Sequence, residues 1–253
     1  MCDLVRYAQR YGHLLFENGL ANLEGVPGSR SALSALANLS KYLGQHTTFK
    51  RMREESGISW NRESTEDVFM QIYGERQAVS NVEDWMESLK GVVDWDVWFP
   101  VVFMGITGLR TSEAICALNI IAAGGLDEYF NSDLHVLEHF KYRDVFLRRT
   151  KKAFISVVSD RLMYELKSWR RPTSYATLRG RVRRRGVICD FYSLRKWYAT
   201  TLRMNGIEGE YVDFLQGRVG SSVFVRSYLR PDVRQVFEKV RDVLVPFENN
   251  WLR

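Results

Sequence analysis

Apolar residues along this chain recur mostly at the three-and-four spacing of an amphipathic helix, and only one stretch departs from it. After the Pro27-Gly28 turn, Ser29 or Ser31 can cap a helix that places Leu33, Leu36, Ala37 and Leu43 on one face. The pattern continues through Phe49 and Met52, then past Gly57 to Ile58 and Trp60, with a further short helix around Val68 to Tyr73. Gly74-Glu75-Arg76-Gln77 carries little periodicity and is expected to be a linker.

Ser80-Asn81-Val82-Glu83 has the form of a capping box ahead of Val82, Trp85, Met86 and Leu89, which predicts a new helix and a new domain from about residue 78. Trp95 to Met104 is densely apolar, with Trp95, Trp98, Phe99 and Phe103 as core; Pro100 is expected to interrupt it and Gly105 to Gly108 to end it. A helix then starts at Thr111 or Ser112 and buries Ala114, Ile115 and Leu118. From Asp144 to Val158 the residues prefer strand, Val145-Phe146-Leu147 and Ala153 to Val158 flanking a basic turn, so a β-hairpin is predicted. Helices are expected again at 160–169, 176–185, 192–205, 211–215 and from Asp232 to Trp251. The fold class is mainly α with a small antiparallel sheet or hairpin, in two domains, 1–77 and 78–253.

Composition changes this picture little, but charge distribution changes it a good deal. No apolar run reaches a membrane-spanning length and no secretory leader is recognisable, so a cytoplasmic protein with no membrane partner is expected. Cys2, Cys116 and Cys189 suggest neither a disulfide framework nor a metal site. The net charge is only +6, yet the segment from Lys141 to Val187 holds fifteen Lys and Arg against three acids, leaving the remainder at −6. Such a concentration points to a polyanion, because each phosphate neutralised releases counterions. Arg179, Arg181, Arg183, Arg184 and Arg185, with Arg148 and Arg149 at the hairpin turn, are the expected phosphate contacts, which fix position rather than sequence preference.

Three further motifs carry chemistry. Thr107-Gly108-Leu109-Arg110-Thr111-Ser112-Glu113 sets an arginine just before a helix, where its guanidinium can meet an anion beside the helix's first N–H groups, with Glu113 to orient it. Tyr192-Ser193-Leu194-Arg195 places a second arginine on an amphipathic helix. Leu215-Gln216-Gly217-Arg218, followed ten residues later by Tyr228, supplies a third arginine and a phenol.

In order and spacing these motifs resemble the tyrosine recombinase, or integrase, family over about residues 90 to 230, and look closest to its archaeal branch. The resemblance implies a helical core-binding domain and a catalytic domain clamped on duplex DNA, with four protomers on two sites. It implies Tyr228 as nucleophile, Arg110, Arg195 and Arg218 at the phosphate, Lys151 or Lys152 as the acid for the leaving oxygen, and no metal or cofactor. Tyr192 stands where the family usually has histidine, and Arg218 where it has histidine or tryptophan. A phenol with a pKa of about 10 is a poor proton acceptor at neutral pH, so the base for Tyr228 stays open. A type IB topoisomerase-like nicking and closing enzyme, or a DNA-binding regulator of the same fold with impaired catalysis, are the alternatives. The last helix is expected on a neighbouring protomer, although its pattern also suits burial in its own domain.

Overall fold

The computed structural model describes residues 3–16, 19–23, 29–58, 65–74, 78–148, 151–218 and 232–252. The chain divides into two compact units, Met1–Tyr73 and Gly74–Arg253.

The first unit starts earlier than the helical pattern suggested. Helix α1 (Asp3–Tyr11) lies ahead of the first expected helix and packs on α2 (Ser29–Tyr42), with α3 (His46–Glu55) following. Leu33, Leu36 and Ala37 of α2 enter a core with Leu20, Phe49 and Met52. Leu43 does not join it; it lies beyond the end of α2 and is exposed, because Gly44 turns the chain there. Helix α4 (Thr65–Gly74) closes the unit, and Trp60 falls outside the described residues.

The second unit is built around α6 (Trp95–Thr107), whose residues from Val97 to Thr107 are all buried. A helix apolar on every side has to be surrounded, and α5 (Ala78–Leu89), α7 (Thr111–Ala122), α11 (Tyr175–Arg184), α12 (Phe191–Met204) and α14 (Val233–Trp251) share its core. Helix α5 starts at Ala78, where a helix was expected, but Ser80 lies inside it rather than at its N-cap. Pro100 does not break α6 either. It removes one hydrogen bond of the first two turns, and burial of the whole helix outweighs that loss. No single helix among the described residues is long and apolar enough to cross a membrane, and the apolar pair α6 and α7 is bent by 116° between them.

The predicted hairpin is the largest correction. A single helical turn, α9 (Arg143–Phe146), follows α8 (Leu126–Tyr129) and replaces the first strand. Phe146 is buried against the His139 ring, with centroids 4.7 Å apart. Only the Leu147–Lys152 bridge and the bond from Ala153 N–H to the Phe146 carbonyl, 2.9 Å, keep the antiparallel closure. The sheet is instead β1 (Phe130–Asn131), β2 (Val136–Leu137) and β3 (Ser156–Val157), in that order and antiparallel. Val136 faces Val157 and Leu137 faces Ser156. Short apolar runs do not tell strand from buried turn, so tertiary burial decided this one.

Beyond the sheet come α10 (Asp160–Ser168), then α11 to α13 (Gly209–Leu215) and α14. The last helix packs on its own unit: Phe237, Val240, Leu244 and Trp251 are buried in its core, and Trp98 Nε1 donates to the Trp251 carbonyl at 2.8 Å. The expected packing on a neighbour is therefore not what this apolar face does. Its far end is tied down by polar contacts too, since Ser159, the N-cap of α10, donates to the buried carboxylate of Glu248. Burial pushes the Glu248 carboxyl up despite that bond and the charge of Arg161.

Candidate nucleic-acid site

Helix α6 ends because Gly108 turns left-handed, at φ 63°. A Cβ there would meet the buried Tyr198 ring at 2.3 Å, so the position needs glycine twice over. The turn delivers Arg110 to the N-cap of α7, where its backbone N–H donates to Glu113 Oε2 at 3.1 Å and its Nη1 to Glu113 Oε1 at 2.7 Å. Glu113 is 1% exposed, and Oε1 also accepts from Arg148 Nη2 at 3.1 Å. One buried carboxylate thus holds two arginines from different parts of the chain.

Arg195, on the second turn of α12, reaches back to the same corner. Its Nη1 donates to the Gly108 carbonyl and its Nη2 to the Gln216 carbonyl, each at 2.6 Å, while Gln216 Nε2 donates to the Arg195 carbonyl at 3.0 Å. Gln216 is buried, and its side chain and backbone together join the Leu215-Gln216-Gly217-Arg218 segment to α12. Gly217 then turns left-handed at φ 70°, and a Cβ on it would sit 1.9 Å from the Lys152 carbonyl oxygen. Arg110 Nη1 donates to that same oxygen at 3.3 Å. The three arginine motifs and the lysine-bearing loop therefore meet at one place.

Burial and the neighbouring charges of Arg110 and Arg218 push the Arg195 guanidinium down to about 10, against the partial relief of Glu113. Cations gathered this closely around a single buried carboxylate make a receptor for an anion. Arg218 extends from the rim, 3.6 Å from Asp213 and largely exposed. Lys151 and Lys152 are exposed.

Tyr192 is 73% exposed on the first turn of α12, with Lys196 Nζ 5.7 Å from its ring centre. Tyr228 and Arg149 lie outside the described residues.

The arginines of α11 split between two faces. Arg181 is ion-paired with Asp96 at the start of α6, Arg171 stands 3.6 Å from the same carboxylate, and Arg185 is 4.0 Å from Asp94. Burial would raise the Asp96 carboxyl, but the hydrogen bond and charge of Arg181 hold it below its ordinary range. This cluster sits at the opposite end of α6 from Gly108, about 20 Å along the helix. Arg179 and Arg183, one turn apart, instead line a groove with Val187, Ile188 and Cys189 just before α12. Trp85 Nε1 holds that loop by donating to the Ile188 carbonyl at 2.7 Å.

Sequence reasoning found the arginines, Glu113 and the lysines, but not Gln216, Gly217 or the Lys152 carbonyl that join them. The glycine within L-Q-G-R was the available signal, since a conformation-bound glycine marks close backbone approach. Nothing in the sequence announced His139. It is fully buried between the Tyr129 hydroxyl at Nδ1 and the Ser156 hydroxyl at Nε2, the latter 2.7 Å away, and burial pushes it down to about 3.

The archaeal phage integrase family model matches residues 101–239, more than half of the chain and the whole stretch from Arg110 to Arg218. Comparison with curated proteins and with solved structures finds no match. The chain belongs to the archaeal phage integrase family, and that membership implies DNA binding and an integrase-type recombination activity.

Proposed function

We propose that the protein is a tyrosine site-specific recombinase that cuts and rejoins duplex DNA through a 3′-phosphotyrosine intermediate. The observation that carries this reading is the convergence of Arg110, Arg195 and Arg218 at the Lys152 loop, where burial first, and then the charges of Arg110 and Arg218, push the Arg195 guanidinium down. A phosphodiester under attack gains charge on its non-bridging oxygens, and paired guanidiniums stabilise that charge.

In the proposed step the Tyr228 hydroxyl loses its proton to water, its oxygen bonds to phosphorus, the bond from phosphorus to the 5′ oxygen breaks, and Lys151 or Lys152 gives that oxygen a proton. A second strand's 5′-hydroxyl reverses the step, so no external energy source is needed. The exposure of Tyr192 and its pairing with Lys196 support a contact to the DNA backbone for its hydroxyl rather than the acceptance of the nucleophile's proton. Arg179, Arg183 and Arg184 are exposed on α11 and available to phosphates, whereas Arg181 is ion-paired with Asp96. We extend the reading to a DNA-clamping role for the N-terminal unit and to a tetramer on two sites.

The test is a duplex nicked close to the cleavage point, whose released fragment diffuses away and traps the covalent complex. Wild type should accumulate a protein–DNA adduct, and Tyr228→Phe should form none. An adduct that survives that substitution would overturn the assignment.

A further inference from the structure

We propose that Arg148 is a positioning residue for the lysine acid, acting through Glu113, rather than a contact to DNA. The inference rests on the reading that a lysine of the 151–152 pair protonates the leaving oxygen.

Arg148 stands at one end of a loop closed by the Leu147–Lys152 bridge, and Lys152 stands at the other. Both ends are fastened to the same corner. Arg148 Nη2 donates to Glu113 Oε1 at 3.1 Å, and the Lys152 carbonyl accepts from Arg110 Nη1 at 3.3 Å while lying against Gly217. A lysine ammonium rides on a flexible four-carbon stem, so its aim depends on where its main chain is held. The Arg110 bond is long, and by itself it is a weak tether. The charge-assisted bond from Arg148 to a carboxylate that is 1% exposed is the stronger of the two.

A substrate whose leaving 5′ oxygen is replaced by sulfur separates this role from phosphate binding. The sulfur departs as thiolate, because a thiol ionises at about pH 8.5, and needs no proton from lysine. Full-length wild type and Arg148→Ala would be compared at saturating DNA on duplexes of identical sequence carrying oxygen or sulfur at the cleavage site mapped with wild type. On the oxygen substrate Arg148→Ala should form adduct at least about tenfold more slowly, within the range that general acid catalysis supplies. On the sulfur substrate it should match wild type to within about threefold, which also shows that the variant is folded. Equal losses on both substrates, or no loss on oxygen, would overturn the proposal. If wild type forms no adduct on either, the recombinase reading itself fails and this inference fails with it.

Discussion

Gly217 lies so close to the Lys152 carbonyl oxygen that a Cβ would be 1.9 Å from it. This approach, with φ at 70°, is what brings the third arginine motif onto the lysine loop. Gly217→Ala should therefore push the two apart and add left-handed strain, lowering stability by about 1–3 kcal/mol and cleavage by more than stability alone explains. Gly206→Ala is the control: its φ is 82° but nothing stands within 4 Å of the added carbon. Thermal melts and adduct yields on both variants check this, and equal cleavage in the two would refute it.

Arg181 and Arg183 are two residues apart and should behave differently. Arg183→Ala should weaken DNA binding and lower the salt dependence of affinity by about one phosphate contact, with the melting temperature unchanged. Arg181→Ala, which abandons Asp96, should cost about 1 kcal/mol, or ~2–4 °C in a unit of this size. Salt titrations of binding beside melting curves separate the two; a reversed pattern would mean the faces of α11 are assigned the wrong way round.

His139 gives stability a pH dependence. Its folded value of about 3 lies below the ordinary 6.5, so the unfolded chain takes up a proton that the folded one refuses. The contribution is fully present above pH 6.5 and is lost as pH falls towards 3, on the order of 5 kcal/mol at full extent. His139→Gln removes the titration. Urea melts between pH 7.5 and 4 should show the gap between wild type and variant narrowing as pH falls, and a constant gap would rule this out.

Trp251 is buried against Trp197, with ring centres 4.9 Å apart, at the very end of the last helix. Trp251→Ala should destabilise the isolated protomer by about 3–5 kcal/mol, independently of protein concentration. If the loss of stability instead grew on dilution, the face would be serving a neighbouring molecule.

Much of the helical organisation was legible because its signals are local. Leu33 and Leu36, the buried side of α7 around Ala114 and Leu118, and the helices from 160 onward follow from spacing alone. The errors fall where a local signal competes with burial. Val145 and Phe146 have strand propensity but turn helically, with Phe146 packed against His139 and Tyr129. Pro100 is tolerated inside α6 because the surrounding core holds that helix. Helix α1 lay ahead of the first strong periodic signal and was missed.

The candidate site divides along the same line. By itself the sequence singled out Arg110, Arg195, Arg218 and the lysine pair as the candidates for the proposed chemistry, because order and spacing of reactive residues survive without coordinates. Only the tertiary structure decided how they are held: that Gly108 and Gln216 present carbonyls to Arg195, that Glu113 serves two arginines, and that Gly217 rests on Lys152. Those are main-chain contacts and shared charges between segments dozens of residues apart. Main-chain groups are the same in every residue, so a sequence does not reveal which of them will meet.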